Sequence, residues 1–283
     1  MDKREPIYGV TGKGCTLRRI IAVLSDTHAG SRYALCNPET LLHDDDRGDY
    51  HPTLTIGQRW LWNCYEQDIL SVMELADGDP VEVIHLGDVI QGLRFIDGLN
   101  ISRFADQIAI ATANGAPWWI WPNVQSVTVV SGTAVHEGGE GSASELVATL
   151  WNADSIQHGL LSVDGVLIDV AHHGPAAGIR EWTRGNVARL YLLDRMMTDD
   201  PPARVYLRAH RHEPVWVTQH RGDTTADLLV TPAYQLPSAY VRQVAQSPSA
   251  AVCGMIALEI RDGELAGVHR YHHRVDLRRR VTL

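Results

Sequence analysis

Five short segments, far apart along the chain, each set Asp or His directly after an apolar run. They read Ser25-Asp26-Thr27-His28, Gly87-Asp88, Gly132-Thr133-Ala134-Val135-His136-Glu137, His172-His173-Gly174-Pro175 and His210-Arg211-His212. The runs before them, Ile20 to Leu24, Val81 to Leu86, Val127 to Val130, Val166 to Ala171 and Val205 to Leu207, have the length and composition of strands. A chain built this way must bring several strand ends to one place. Carboxylates and imidazoles gathered at the C-terminal ends of strands are what a sheet-based enzyme needs to hold metal ions.

Between these runs the pattern changes period. Trp60, Leu61, Cys64, Ile69, Val72, Met73 and Ala76 recur at helical spacing, so a helix is expected from Gly57 to about Ala76, closed by Asp77-Gly78-Asp79-Pro80. Further helices are expected from Phe104 to Ala113, closed by Asn114-Gly115, from Ser142 to about Asn152, and from Ile179 to Met197. Leu160 to Ala171 reads as a hairpin turning on Asp164-Gly165, and Ala251 to Tyr271 as another turning on Asp262-Gly263. Strands alternate with helices first and antiparallel strands dominate later, which suits two packed mixed sheets flanked by helices. The 283 residues are read as one domain with its core in 19–273. Residues 29–56, with the acidic run Asp44-Asp45-Asp46, form a long loop and a candidate lid. The cluster Trp118-Trp119-Ile120-Trp121 reads as a packing buttress, with a platform for a flat substrate as the rival.

Charge narrows the class of partner. The formal net charge of -9 has the wrong sign for non-specific binding to duplex DNA, although cations held by the protein could still receive a nucleic-acid substrate. Cys15, Cys36, Cys64 and Cys253 lack paired zinc spacing and are expected to be reduced. Met1 to Gly14 has no apolar leader core, and no stretch approaches the roughly 20 apolar residues of a membrane span. The expectation is a soluble, cytoplasmic protein with no membrane partner.

Asp26 and His28 lie two apart and can bite one cation; His210 and His212 share that spacing and can send one imidazole to each of two. Asp88 has two oxygens with which to bridge, and His173 or its neighbour His172 adds one more ligand. A mixed Asp/His set suits manganese, iron, zinc or nickel better than calcium. In this order, Asp-x-His, Gly-Asp, a His-containing loop, His-Gly and His-x-His, the chain resembles the calcineurin-like metallophosphoesterases over roughly residues 20 to 213. The resemblance implies an α/β fold, a four-layer α-β-β-α sandwich of two mixed β-sheets flanked by helices. It implies two divalent metal ions, manganese first among them. Asp26, His28 and His212 would hold one, His210 and His173 the other, with Asp88 bridging. His173 is preferred to His172 because it precedes Gly174-Pro175.

The third motif departs from that family's Gly-Asn-His-Asp/Glu. No alignment of Gly132-Thr133-Ala134-Val135-His136-Glu137 supplies the Asn, so Thr133 is a candidate oxygen donor and His136 the catalytic acid or a direct ligand. Arg32 and Arg180 are candidate phosphate-binding residues. The expected activity is a dinuclear metal-dependent phosphoester hydrolase, in which hydroxide generated at the metals attacks phosphorus. The expected substrate is a small phosphoester or a nucleotide. A DNA or RNA nuclease, a phosphodiesterase, and a non-catalytic scaffold of the same fold are the alternatives.

Overall fold

A computed structural model describes residues 17–46, 48–138, 142–175, 183–238, 241 and 250–278. Its first strand, β1 (Arg18–Leu24), sets the layering. Ile20, Ala22 and Leu24 face one way and Ile21 and Val23 the other, and both sets are buried. A strand apolar on both faces must lie inside a sheet covered on both sides. The remaining strands are β2 (Leu42–Asp44), β3 (Gly48–Tyr50), β4 (Val81–His85), β5 (Val124–Val130), β6 (Asp154–Ile156), β7 (His158–Val163), β8 (Val166–Ala171), β9 (Val205–Arg208), β10 (Val215–Arg221), β11 (Thr224–Val230), β12 (Ala250–Arg261) and β13 (Glu264–Asp276). The helices are α1 (Ile56–Ala76), α2 (Phe104–Trp119), α3 (Ala143–Trp151) and α4 (Arg184–Thr198).

Six strands form one sheet in the order β13-β12-β1-β4-β5-β6, and five form a second in the order β10-β11-β9-β8-β7. Both are mixed: β1, β4, β5 and β6 run parallel and β12 antiparallel to β1, while β8, β9 and β11 run parallel with an antiparallel strand at each edge. Three apolar clusters separate the layers. One lies between α1–α3 and the first sheet, one between the sheets, and one between the second sheet and α4. The result is the α-β-β-α sandwich expected from the sequence.

Two regions differ from the sequence reading. Helix α2 runs past Asn114-Gly115 and contains Pro117. Proline leaves the carbonyl four residues back without its N–H, and Asn37 Nδ2 donates to that carbonyl, Ala113 O, at 2.8 Å. Asn114 is not a stop either, because its side chain accepts from Asn37 N and donates to Leu35 O. The same contacts tie down the long segment 29–56. Ala34, Leu35, Cys36 and Asn37 are buried, and β2 and β3 pair antiparallel further along. Trp118 is buried and its Nε1 donates to Tyr65 Oη at 2.8 Å, so this part of the tryptophan cluster is a buttress.

Arg208, at the end of β9, is 1% exposed. Its five N–H groups reach Asp169 Oδ1, Tyr191 Oη and the carbonyls of Asp169 and Leu207. Removing one partner of a buried pair strands the other charge. Arg208→Ala is therefore expected to lower unfolding free energy by about 3–5 kcal/mol, measured by urea denaturation. A loss under about 1 kcal/mol would mean that the pair behaves as a solvated surface bridge.

Candidate metal centre

The parallel strands β1, β4 and β5 end on one edge of the first sheet, and β8 and β9 end opposite them. A backbone bond from Ala209 N to His172 O joins the last two ends. All five sequence segments meet in the seam between the sheets. Asp26, His28, Asp88, His136 and His172 are buried there, His210 and His212 are half-buried, and His173 is exposed.

The backbone adopts unusual conformations to aim these side chains. Asp26, His28, Asp88, His210 and His212 all have positive φ, between 41° and 72°. The other non-glycine residues of this kind among the described residues cap helices, as Asp77 and Asn152 do, or turn hairpins, as Asp164 and Asp262 do. Positive φ is tolerated best by Asn, Asp and His among side-chain-bearing residues, and elsewhere marks strain held for a purpose. Two glycines permit the close approach of the strand ends. A Cβ on Gly132 would lie 2.2 Å from Asp88 Oδ1, and one on Gly87 would lie 2.8 Å from Gly132 Cα and 2.9 Å from His172 Nδ1.

Four of the inward groups, Asp26, Asp88, His136 and His172, are held from behind. Asp26 Oδ2 accepts from Ser25 Oγ at 2.7 Å and His210 N at 3.2 Å, while buried Asp26 Oδ1 has no hydrogen-bond partner. Asp88 Oδ1 accepts from Thr133 N at 2.6 Å, leaving Oδ2 toward the centre. His172 Nδ1 donates to Leu86 O, and His136 Nδ1 to Gln91 O, both at 2.6 Å. A carbonyl can only accept, so Nε2 of each ring is the inward atom free to bind or take a proton.

Two sets of donors result. Asp26 Oδ1 lies 3.2 Å from His212 Nε2, which lies 3.3 Å from His28 Nε2. On the other side, His172 Nε2, His173 Nε2 and His210 Nδ1 surround Thr133 Oγ1 at 3.2, 3.5 and 3.1 Å. Asp88 Oδ2 sits between them, 3.9 Å from His28 Nε2 and 3.1 Å from His172 Nε2. It is also 3.9 Å from His136 Nε2. The ligand atoms of each of four overlapping trios, Asp26/His28/His212, His172/His173/His210, His28/Asp88/His136 and Asp26/Asp88/His172, lie within 4.8 Å of one another. An unpartnered buried carboxylate oxygen with imidazole nitrogens converging beside it fits a divalent cation.

The electrostatics agree. Burial opposes charge on Asp88, yet the His172 hydrogen bond and nearby imidazoles hold its carboxyl at about 2. Asp26 is likewise buried, and His212 and His28 keep it well below the usual carboxylate range. Burial lowers His28 and takes His210 to about 4, so both are neutral donors. His172 resists burial because Asp88 and Asp26 draw a proton onto it, raising it to about 9.

Not every candidate reaches the centre. Arg32 is exposed and its guanidinium lies against its own neighbour Tyr33, 5.8 Å from the ring centroid; Arg180 falls outside the described residues. The sequence favoured His173 over His172, whereas the structure brings both in and places His172 deeper, beside Asp88. Four supporting residues went unread. His85 Nδ1 accepts from Gly87 N and its Nε2 donates to Thr27 Oγ1, tying the first two segments together. Glu137 accepts from Gly132 N, Ser142 Oγ, Ser144 N and Ser144 Oγ, anchoring the third loop. Leu86 and Gln91 act through backbone carbonyls, which no side-chain pattern can announce.

No known protein-family model matches the chain, nor does any curated protein sequence. Solved structures with some likeness include a Streptococcus pneumoniae protein described as a predicted phosphoesterase, 14% identical over 86% of this chain and 83% of that one, with a TM-score of 0.34. Another is a metallophosphoesterase from Sphaerobacter thermophilus, 12% identical over 92% of this chain and 89% of that one, with a TM-score of 0.35. Likenesses this faint add nothing to the geometry above, and what the site does is read from its own residues.

Gly132→Ala tests that geometry without replacing any candidate ligand. The added methyl collides with Asp88, so bound metal per chain, measured by elemental analysis after dialysis, is expected to fall well below wild type while the far-ultraviolet circular dichroism stays native. Full metal content in the variant would contradict the close packing of the two loops.

Proposed function

We propose that this chain is a metal-dependent phosphoester hydrolase of the calcineurin-like metallophosphoesterase kind, working with two divalent cations. The observation that carries the reading is one carboxylate oxygen, Asp88 Oδ2, flanked on both sides by converging imidazoles. Two cations, when bound, supply Lewis acidity to the attacking and leaving oxygens of an in-line displacement and acidify water. Asp26, His28 and His212 would hold the first, Asp88 would serve both, and His210 with the His172-His173 pair would hold the second. Manganese is the first cation to test, then iron, zinc and nickel.

His136 is the proton carrier in this reading. Its Nδ1–H is fixed on Gln91 O, so a proton gained at Nε2 faces the centre and can pass to the leaving oxygen. The net charge of -9 favours a small phosphoester or nucleotide over a nucleic acid, with a nuclease or phosphodiesterase as the second choice. Buried, unpaired Cys36, Cys64 and Cys253 suit a reducing compartment such as the cytoplasm. None of the helices is long and apolar enough to cross a membrane, among the described residues.

The test is hydrolysis of chromogenic phosphate mono- and diesters by metal-stripped protein, with manganese, nickel, zinc or magnesium restored. Turnover is expected only with metal, and the preferred ester separates phosphatase from diesterase. Asp88→Asn is expected to reduce kcat/KM by at least about 10²-fold, the scale for losing one electrostatic stabiliser. Folded protein inert with every metal would replace the enzyme by a scaffold.

A further inference from the structure

We infer that Phe95, flanked by Leu93, Ile96 and Val135, seats the leaving group of the substrate beside His136, and that this group carries a flat aromatic ring. The inference rests on the reading of the centre as a phosphoester hydrolase with His136 as proton carrier, and deepens it by naming the class of ester.

The position follows from the direction of proton transfer. The oxygen that leaves phosphorus takes its proton from His136 Nε2, so the group attached to that oxygen lies beside the His136 ring. Two rings adjoin it. His28, in the centre, meets it edge-on with centroids 4.5 Å apart, and Phe95 lies 5.9 Å away, tilted by 35°. A substrate whose phosphorus sits at the centre has Phe95 within reach of its leaving group. The surface offered there is apolar. Of the chain's two phenylalanines, Phe104 packs against the first core cluster, whereas Phe95 is 53% exposed. Leu93, Ile96 and Val135 are exposed as well. An exposed apolar patch of this kind marks a binding surface. None of the four side chains can hydrogen-bond, so hydroxyls of a sugar or glycerol placed there would lose water and gain no partner. A phenyl face takes another flat ring, offset or edge-on.

Phe95 is exposed on a backbone fixed at both ends. Before it, Gly92 N donates to Gln107 Oε1 at 2.9 Å, and Gln91 Oε1 accepts from Gln235 Nε2 at 3.0 Å. Gln91 O is the same carbonyl that orients His136, so the proton carrier and the start of the apolar segment share one anchor. Gly92 has a φ of 67°, and a Cβ there would collide with Val135 O, which shows how closely the two apolar loops are pressed together. Beyond Phe95, Ile96–Gly98 form one turn of 3₁₀-helix. Gly98 O accepts from Arg32 N, and Gly30 O from Asn100 N, both at 2.9 Å. An aromatic side chain on so fixed a backbone has little freedom left to lose when a ring settles on it.

The experiment compares benzyl, cyclohexylmethyl and glycerol phosphates as substrates of the manganese-loaded protein, as monoesters or as their methyl diesters according to the class it prefers. The first two depart as alcohols of similar acidity, so their ratio reads the ring and not the ease of departure. Wild type is expected to use the benzyl ester with a kcat/KM about 2–10-fold above the cyclohexylmethyl ester, the scale of an aromatic pair beyond its buried area. Both should exceed the glycerol ester by about 10–100-fold. Phe95→Ala and Phe95→Leu are expected to bring the benzyl-to-cyclohexylmethyl ratio to about one, and Phe95→Trp to preserve it. Far-ultraviolet circular dichroism checks that each variant folds. A ratio of about one in wild type, or the wild-type ratio in both the Ala and Leu variants, would overturn the role of Phe95. A glycerol ester used as well as the benzyl ester would overturn the apolar seat. Calorimetric binding of benzylphosphonate and cyclohexylmethylphosphonate separates this inference from the reaction it rests on. Ring discrimination that disappears in Phe95→Ala, without hydrolysis of any ester, would leave the seat standing and remove the reaction. Hydrolysis without discrimination would keep the reaction and remove the seat; a protein that binds neither phosphonate and hydrolyses no ester would remove both.

Discussion

The hydrogen bond from Thr133 N to Asp88 Oδ1 joins the ends of two parallel strands, and the seam is arranged around the carboxylate it holds. Asp88 is 2% exposed, and an isolated anion at that depth costs several kcal/mol. The fold answers with one backbone donor behind the carboxylate and imidazoles from three other loops in front of it. Gly132 lets the donor approach, Glu137 holds the loop that carries it, and His172 lends a proton. Each of these makes sense only if Asp88 must stay charged where water cannot reach it. A second buried carboxylate, Asp26, deepens the demand, because two anions in one seam need more compensating positive charge than one does.

Much of this architecture was legible because it obeys simple periodicities. The apolar runs before each Asp or His segment became strands, and Asp164-Gly165 and Asp262-Gly263 turned the hairpins as their residue types require. The misreadings share one cause. Asn114-Gly115 looks like a helix stop to any local rule, but Asn37, distant in sequence, satisfies the polar groups that would have ended the helix. The same distant contact packs residues 34–37 against α2.

In the site, residue types and order were readable, but depth was not. Adjacent histidines cannot be ranked by sequence when the distinction lies in which ring finds a carbonyl behind it, and Leu86 O supplies one to His172. Arg32 looked apt by chemistry and proximity in sequence, yet its backbone is turned by bonds to Gly98 and Thr55, and the side chain follows outward. Arg208 was hidden for the opposite reason. A buried arginine inside a strand is rare, and its partners Asp169 and Tyr191 lie on other elements.

The left-handed backbone at Asp26, His28, Asp88, His210 and His212 has a consequence for how such a centre can be altered at all. At these positions the peptide backbone screens residues before their chemistry does. Valine, isoleucine or threonine would meet a steric barrier there even if the centre had no use for the original side chain. Alanine changes two things at once, removing a donor and adding strain of order 1–3 kcal/mol that Asp, Asn and His tolerate better. Asparagine keeps the conformation and changes the donor alone. A neutral drift through this site is therefore channelled among a few polar residues, and the coordination sphere can be retuned more readily than it can be erased.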